Sequence, residues 1–96
     1  MLIALDYDDT FTRDPEGWLN FAKLMKSRGH EIIGVTMRYP GEASGMDSRY
    51  DEACQKLYFT GRMAKRKFLE SKDVHPNVWV DDTPEWILIN ASQEGE

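Results

Sequence analysis

The chain has 96 residues, of which 41% are hydrophobic and 30% charged. That suits one compact domain burying roughly 60–70% of its unfolded surface without staples. Twelve basic against 17 acidic side chains leave a net charge of −5, which argues against a general nucleic-acid footprint, although "RMAKRK" at 62–67 is a local basic patch. One cysteine, Cys54, excludes an internal disulfide, and no paired Cys/His spacing points to structural zinc, so a reducing, cytoplasmic setting is expected. The opening "MLIAL" is too short for a signal core or a membrane span, and no membrane association is expected.

In chain order, "LIALD" at 2–6 is a continuous apolar run of strand length, as in a parallel strand buried on both faces. "LDYDDTFT" at 5–12 then sets three aspartates, Asp6, Asp8 and Asp9, within four positions. A helix follows in "TRDPEGWLNFAKLMKSRG": Asp14 caps it, Pro15 suits its first turn, Trp18, Phe21, Ala22 and Met25 recur at helical spacing, and Gly29 stops it. "EIIGVTM" at 31–37 reads as the second strand, ending near Thr36.

The Gly-, Pro- and Ser-rich segment 38–51 is expected to be a surface loop with a short helix from about Ser48. "KLYFT" at 56–60 is a third strand, "GRMAKRKFLESKDV" a second long helix, and "NVWV" at 77–80 a fourth strand ending in Asp81 and Asp82. "PEWILI" at 84–89 is a last short strand or helix, and "NASQEGE" at 90–96 a flexible tail. The alternation predicts one α/β domain over 1–89, a small parallel sheet of about four strands flanked by helices.

Such sheets bind ligands at the carboxyl ends of their strands. Asp6, Asp8, Thr36, Asp81 and Asp82 all fall there, so two acidic clusters distant in sequence share one edge. They repel unless a cation lies among them. Oxygen donors without a nearby thiol or imidazole favour a hard ion, and Mg²⁺ is the natural one. His30 and His75 read as turn or surface residues.

These residues also carry a family likeness. "LDYDDTFT" resembles the first motif of the haloacid dehalogenase-like (HAD) phosphohydrolases, Asp-x-Asp-x-Thr, matched by Asp6, Asp8 and Thr10. "IIGVT" resembles the second motif, ending in Thr36; a helical lysine is similar to the third; "VWVDDTP" resembles the fourth. The resemblance spans nearly the whole chain and implies a capless, Rossmann-like core acting as a Mg²⁺-dependent phosphatase. It implies Asp6 as nucleophile, forming an aspartyl-phosphate, and Asp8 as general acid and base, its backbone carbonyl facing the metal. Thr36 and a lysine would hold the phosphoryl oxygens, while Asp81 and Asp82 would complete the metal site. Among Lys65, Lys67 and Lys72 we favour Lys65, because Lys67 is turned roughly 200° away on a helix.

Only "FTR" separates Thr10 from the first helix, so no cap domain fits, and Asp9 replaces a glycine common at that position of the motif. "VDDTP" resembles capless members that act on phosphoproteins or polynucleotide ends, so a phosphorylated macromolecule is an expected substrate. Tyr39, Tyr50, Tyr58, Arg38 and Arg49 make nucleic acid a weaker expectation. A second copy of the chain, packed near Trp86, is another expected way to cover the site. The competing reading is a catalytically inactive module of the same fold that binds a phosphorylated or protein partner.

Overall fold

The computed structural model describes residues 1–91. Strands β1 (Leu2–Leu5), β2 (Glu31–Thr36), β3 (Lys56–Phe59) and β4 (Val78–Val80) form one all-parallel sheet in the order β3-β2-β1-β4. Helices α1 (Pro15–Ser27), α2 (Ser48–Ala53), α3 (Lys65–Glu70) and α4 (Glu85–Leu88) complete the α/β fold. Among the described residues no helix is long and apolar enough to cross a membrane.

Alternation along the strands divides the core. Ile3 and Leu5 of β1 and Ile32 of β2 bury against Leu19 and Ala22 of α1 and Tyr50 and Ala53 of α2. The intervening Ala4, Ile33 and Val35 point the other way and pack with Leu69 of α3, bordered by Tyr58, Phe68 and Trp79. Both faces of β1 and β2 are therefore dry, which is why their sequences read as unbroken apolar runs.

Two glycines permit close approaches. The Asp14 carboxylate caps α1 by accepting the Gly17 N–H at 3.1 Å, and a Cβ on Gly17 would collide with that carboxylate. A Cβ on Gly34 would lie 2.6 Å from the Tyr50 hydroxyl, which donates to the Leu5 carbonyl at 2.6 Å. Tyr50 thus holds the last residue of β1, the one before Asp6, and rests against the rings of Tyr7 and Phe11 at 4.8 and 5.1 Å.

The predicted long helix over 61–74 is shorter: α3 has six residues and starts at Lys65. Gly61 and Arg62 have φ of 60° and 72°, a left-handed pair that a right-handed helix cannot contain, and Asp73 at 59° closes the other end. "PEWILI" contains the one-turn helix α4, which packs on α3. The segment expected to be a flexible tail begins as ordered chain: the Asn90 Oδ1 accepts the Ala64 N–H at 2.7 Å and the Ala91 N–H donates to the Arg62 carbonyl at 2.9 Å. Residues 92–96 of that expectation lie outside the described residues.

Candidate active site

Asp6 follows β1 directly, its N–H donating to the Val80 carbonyl of β4 at 3.0 Å. This bond carries the sheet one residue beyond the strands and brings the "DYDDT" and "VDDT" turns together. Lys65, the first residue of α3 and only 1% exposed, reaches under both turns. Its Nζ donates to the Asp6 Oδ1 at 2.7 Å and to the Asp81 Oδ2 at 2.5 Å. Lys67 is exposed on the same helix, so of these two lysines it is Lys65 that joins the acidic group.

Thr10 ties the remaining carboxylates. Its hydroxyl oxygen lies 3.0 Å from the Asp6 Oδ2 and 3.1 Å from the Asp82 Oδ1, and it accepts the Asp82 N–H at 3.1 Å. A hydroxyl has one proton, so it donates to one of the two carboxylates at a time. Asp81 Oδ1 accepts the Thr83 N–H at 2.9 Å, fixing the second turn.

Asp6, Asp81 and Asp82 each offer an oxygen to a group whose ligand atoms lie within 4.8 Å of one another. Three carboxylates face one ammonium, a formal excess of two negative charges (3 − 1 = 2). An all-oxygen donor set with excess negative charge fits a hard divalent ion such as Mg²⁺. Burial pushes the Asp6 carboxyl up from 3.8 to about 7, outweighing the attraction of Lys65, with Asp81 and Asp82 adding to the rise. For Asp82 burial also pushes upward, but hydrogen bonds with Asp6, Thr10 and Thr83 prevail and hold it below the ordinary carboxyl value. Asp6 is thus the proton-holding member of the group, and a bound cation would displace that proton.

Asp8 is placed differently. Its half-exposed carboxylate receives a two-pronged hydrogen bond from Arg38, at 3.0 Å from Nε and 2.8 Å from Nη2. As a side chain it stands outside the acidic group expected to include it. Arg38 sits over the Tyr7 ring at 5.2 Å and donates to the Glu42 carbonyl at 2.9 Å, while the Glu42 carboxylate pairs with Arg62 at 3.2 Å. Asp9 is exposed and left-handed at φ 61°; its N–H donates to the Thr12 hydroxyl at 3.0 Å. Thr36 closes β2, fully buried, and its hydroxyl oxygen accepts the Arg38 N–H at 3.3 Å; among the described residues no hydrogen bond joins it to Asp6.

The structure therefore unites Asp6, Lys65, Asp81 and Asp82, and leaves Asp8 and Thr36 beside them. It adds Thr10, whose motif match gave no hint of a bridge between the two turns. It also joins Arg38, expected only as a weaker nucleic-acid contact, and Arg62 of the basic patch through Glu42; they stand two residues beyond Thr36, which ends β2, and Thr60, which follows β3. That position after a strand was the available signal. No protein-family model matches the chain, and no curated protein or solved structure is significantly similar to it.

Proposed function

We propose that the chain is a Mg²⁺-dependent phosphohydrolase of the HAD type that works through a phosphorylated Asp6. The observation that carries this reading is the buried Asp6, held between Lys65 and Thr10 at the end of a central parallel strand with Asp81 and Asp82 within coordination distance. One Asp6 oxygen attacks phosphorus as the bond to the leaving oxygen breaks; water then attacks the aspartyl-phosphate, freeing inorganic phosphate and restoring the carboxylate. Lys65 keeps the Asp6 carboxylate in place and offsets its charge, and Thr10 holds the second oxygen in line. Asp8 gives its proton to the leaving oxygen and takes one from the attacking water, provided that it first leaves Arg38. Thr36 and Lys65 bind the phosphoryl oxygens after a local shift of Thr36 away from the Arg38 N–H. A bound Mg²⁺ would offset the repulsion between an anionic nucleophile and an anionic ester.

One observation favours the competing, non-catalytic reading: the clamp of Arg38 on Asp8 removes the acid from where it would act. The two readings separate in one assay. Release of phosphate from an aryl phosphate should require Mg²⁺ and vanish in Asp6→Asn, and denatured, turning-over enzyme should contain phosphate that hydroxylamine releases. An active preparation without such an acyl phosphate would reject the covalent route; no turnover on any ester would favour the binding module.

A further inference from the structure

Beside Asp8 lies a cavity of about 620 Å³ lined by Asp8, Met37, Arg38, Glu42, Arg62, Trp86 and Ala91. We propose that this cavity seats the leaving group and that the substrate is a nucleoside monophosphate, an inference that rests on the phosphohydrolase reading above. The volume falls within the roughly 300–1,000 Å³ typical of small-molecule sites. The chain thus builds its own walls here, from the loop after β2, the turn after β3 and the segment from α4 to Ala91, and a small ester needs no macromolecule to enclose it.

The walls choose the chemistry. Trp86, 39% exposed, and Met37 both line the cavity, and the indole offers a flat apolar surface on which a planar ring can stack. The polar wall is a hydrogen-bonded network: Arg62 Nη1 donates to the Met37 carbonyl at 2.7 Å, both its terminal nitrogens reach the Glu42 carboxylate, and Arg38 spans Asp8 and the Glu42 carbonyl. Glu42 Oε2 still has acceptor capacity for a base amino group, and the guanidiniums retain N–H groups for base or ribose oxygens. Donors and an acceptor side by side match the edge of a nucleobase better than a bare phenol ring, which would use neither.

Charge narrows the class further. Two arginines and two carboxylates line the cavity, so its formal charge is zero with Asp8 ionised (2 − 2 = 0) and +1 while Asp8 holds the proton it delivers (2 − 1 = 1). A neutral nucleoside suits it. An oligonucleotide would bring several negative charges, more than that single surplus offsets, onto a chain already at −5. The step balances: Asp6 forms a bond to phosphorus, the P–O bond to ribose breaks, and the ribose oxygen takes the Asp8 proton to leave as a nucleoside. Water then supplies the hydroxyl to phosphorus and returns a proton to Asp8.

The test compares kcat/KM of the full chain with Mg²⁺ on nucleoside 5′- and 3′-monophosphates, glycerol phosphate, a phosphotyrosine peptide and a 3′-phosphorylated oligonucleotide. Nucleoside monophosphates should exceed glycerol phosphate by about tenfold or more, and Trp86→Ala should erase most of that ratio. Arg62→Gln serves the same purpose if Trp86→Ala fails to fold, and Lys67→Ala on the exposed face of α3 should leave the ratio as it is. Equal rates for glycerol phosphate, a clear preference for the peptide or the oligonucleotide, or an unchanged ratio in both cavity variants would overturn the assignment. A second readout needs no turnover: unphosphorylated nucleosides titrated into Asp6→Asn should bind saturably, and not when Trp86→Ala is added. Nucleoside binding without hydrolysis of any ester would sink the phosphohydrolase reading and keep the cavity; hydrolysis without nucleoside binding would do the reverse.

Discussion

Two ion networks stand side by side at the carboxyl edge of this sheet and share one vocabulary of residues. In the first, Lys65 bridges Asp6 and Asp81 with all three side chains almost wholly out of water. In the second, Arg38 grips Asp8 and Arg62 grips Glu42, with side chains from 29% to 50% exposed. Solvent makes the difference. Buried charges have lost their hydration and depend on each other, so removing one partner is severe; the half-exposed pairs exchange readily with water and contribute little. On the proposed phosphohydrolase reading, the first network suits a group that must be held still and the second one that must open when substrate arrives.

The largest expected effect falls on chemistry. Asp6→Asn keeps the shape and a hydrogen-bond acceptor for Lys65 but removes the carboxylate proposed to attack phosphorus, so turnover should drop on the order of 10³-fold or more. Asp8→Asn should spare esters with good leaving groups and slow those with poor ones. Full-rate phosphate release by the Asp6→Asn variant would end the nucleophile assignment.

Next in size is the cost of opening the buried network. Lys65→Met leaves the buried Asp81 carboxylate without a cation beside a protonated Asp6, at about 3–5 kcal/mol, which at this chain length lowers the Tm by roughly 15 °C or more. Adding Asp81→Asn should recover part of the loss. If Lys65→Met melts with wild type, the network is not energetically closed.

Protons and metal should act on the same network with a definite sign. Folded Asp6 keeps its proton up to about 7, whereas its ordinary value is 3.8, so between these values the folded chain binds more protons than the unfolded one. Stability from this group is therefore fully present below the ordinary value and is lost as pH rises through about 7. Without divalent ions the Tm should fall from about pH 5 to about pH 8. Mg²⁺ should raise the Tm most at the alkaline end and release protons on binding, and Asp81→Ala with Asp82→Ala should abolish both effects. Melting curves that ignore Mg²⁺ at every pH would remove the metal from the site.

Much of the buried network is legible in the sequence because each part is a local signal. An apolar run closing on Asp6, another closing on Asp81, and helical geometry that separates Lys65 from Lys67 need only strand length and period to interpret. The half-exposed network escapes such reading. It depends on loop backbone, including a left-handed Arg62 that no residue type announces, and on Glu42 answering both arginines at once. The early start of α3 predicted at Gly61 failed for the same reason, since the apolar spacing of Met63, Ala64, Phe68 and Leu69 continues through a turn that the left-handed pair forbids. Asn90, which fixes the residue before Lys65, lies in a polar stretch indistinguishable by composition from a tail.

The smallest expected effect is the most direct measure of the contrast. A double-mutant cycle on Arg38→Gln and Asp8→Asn should give a coupling free energy below about 1 kcal/mol, because water replaces each hydrogen bond as it is lost. The same cycle on Lys65→Met and Asp81→Asn should give several times that, because water does not reach those atoms. Salt separates them again: screening acts on the exposed pair and hardly on the buried one, so raising ionic strength should shrink the first coupling and leave the second. Equal couplings with equal salt dependence would mean that Arg38 holds Asp8 as firmly as Lys65 holds Asp6. Asp8 would then be too tightly bound to serve as an acid, and the non-catalytic reading of the fold would gain the advantage.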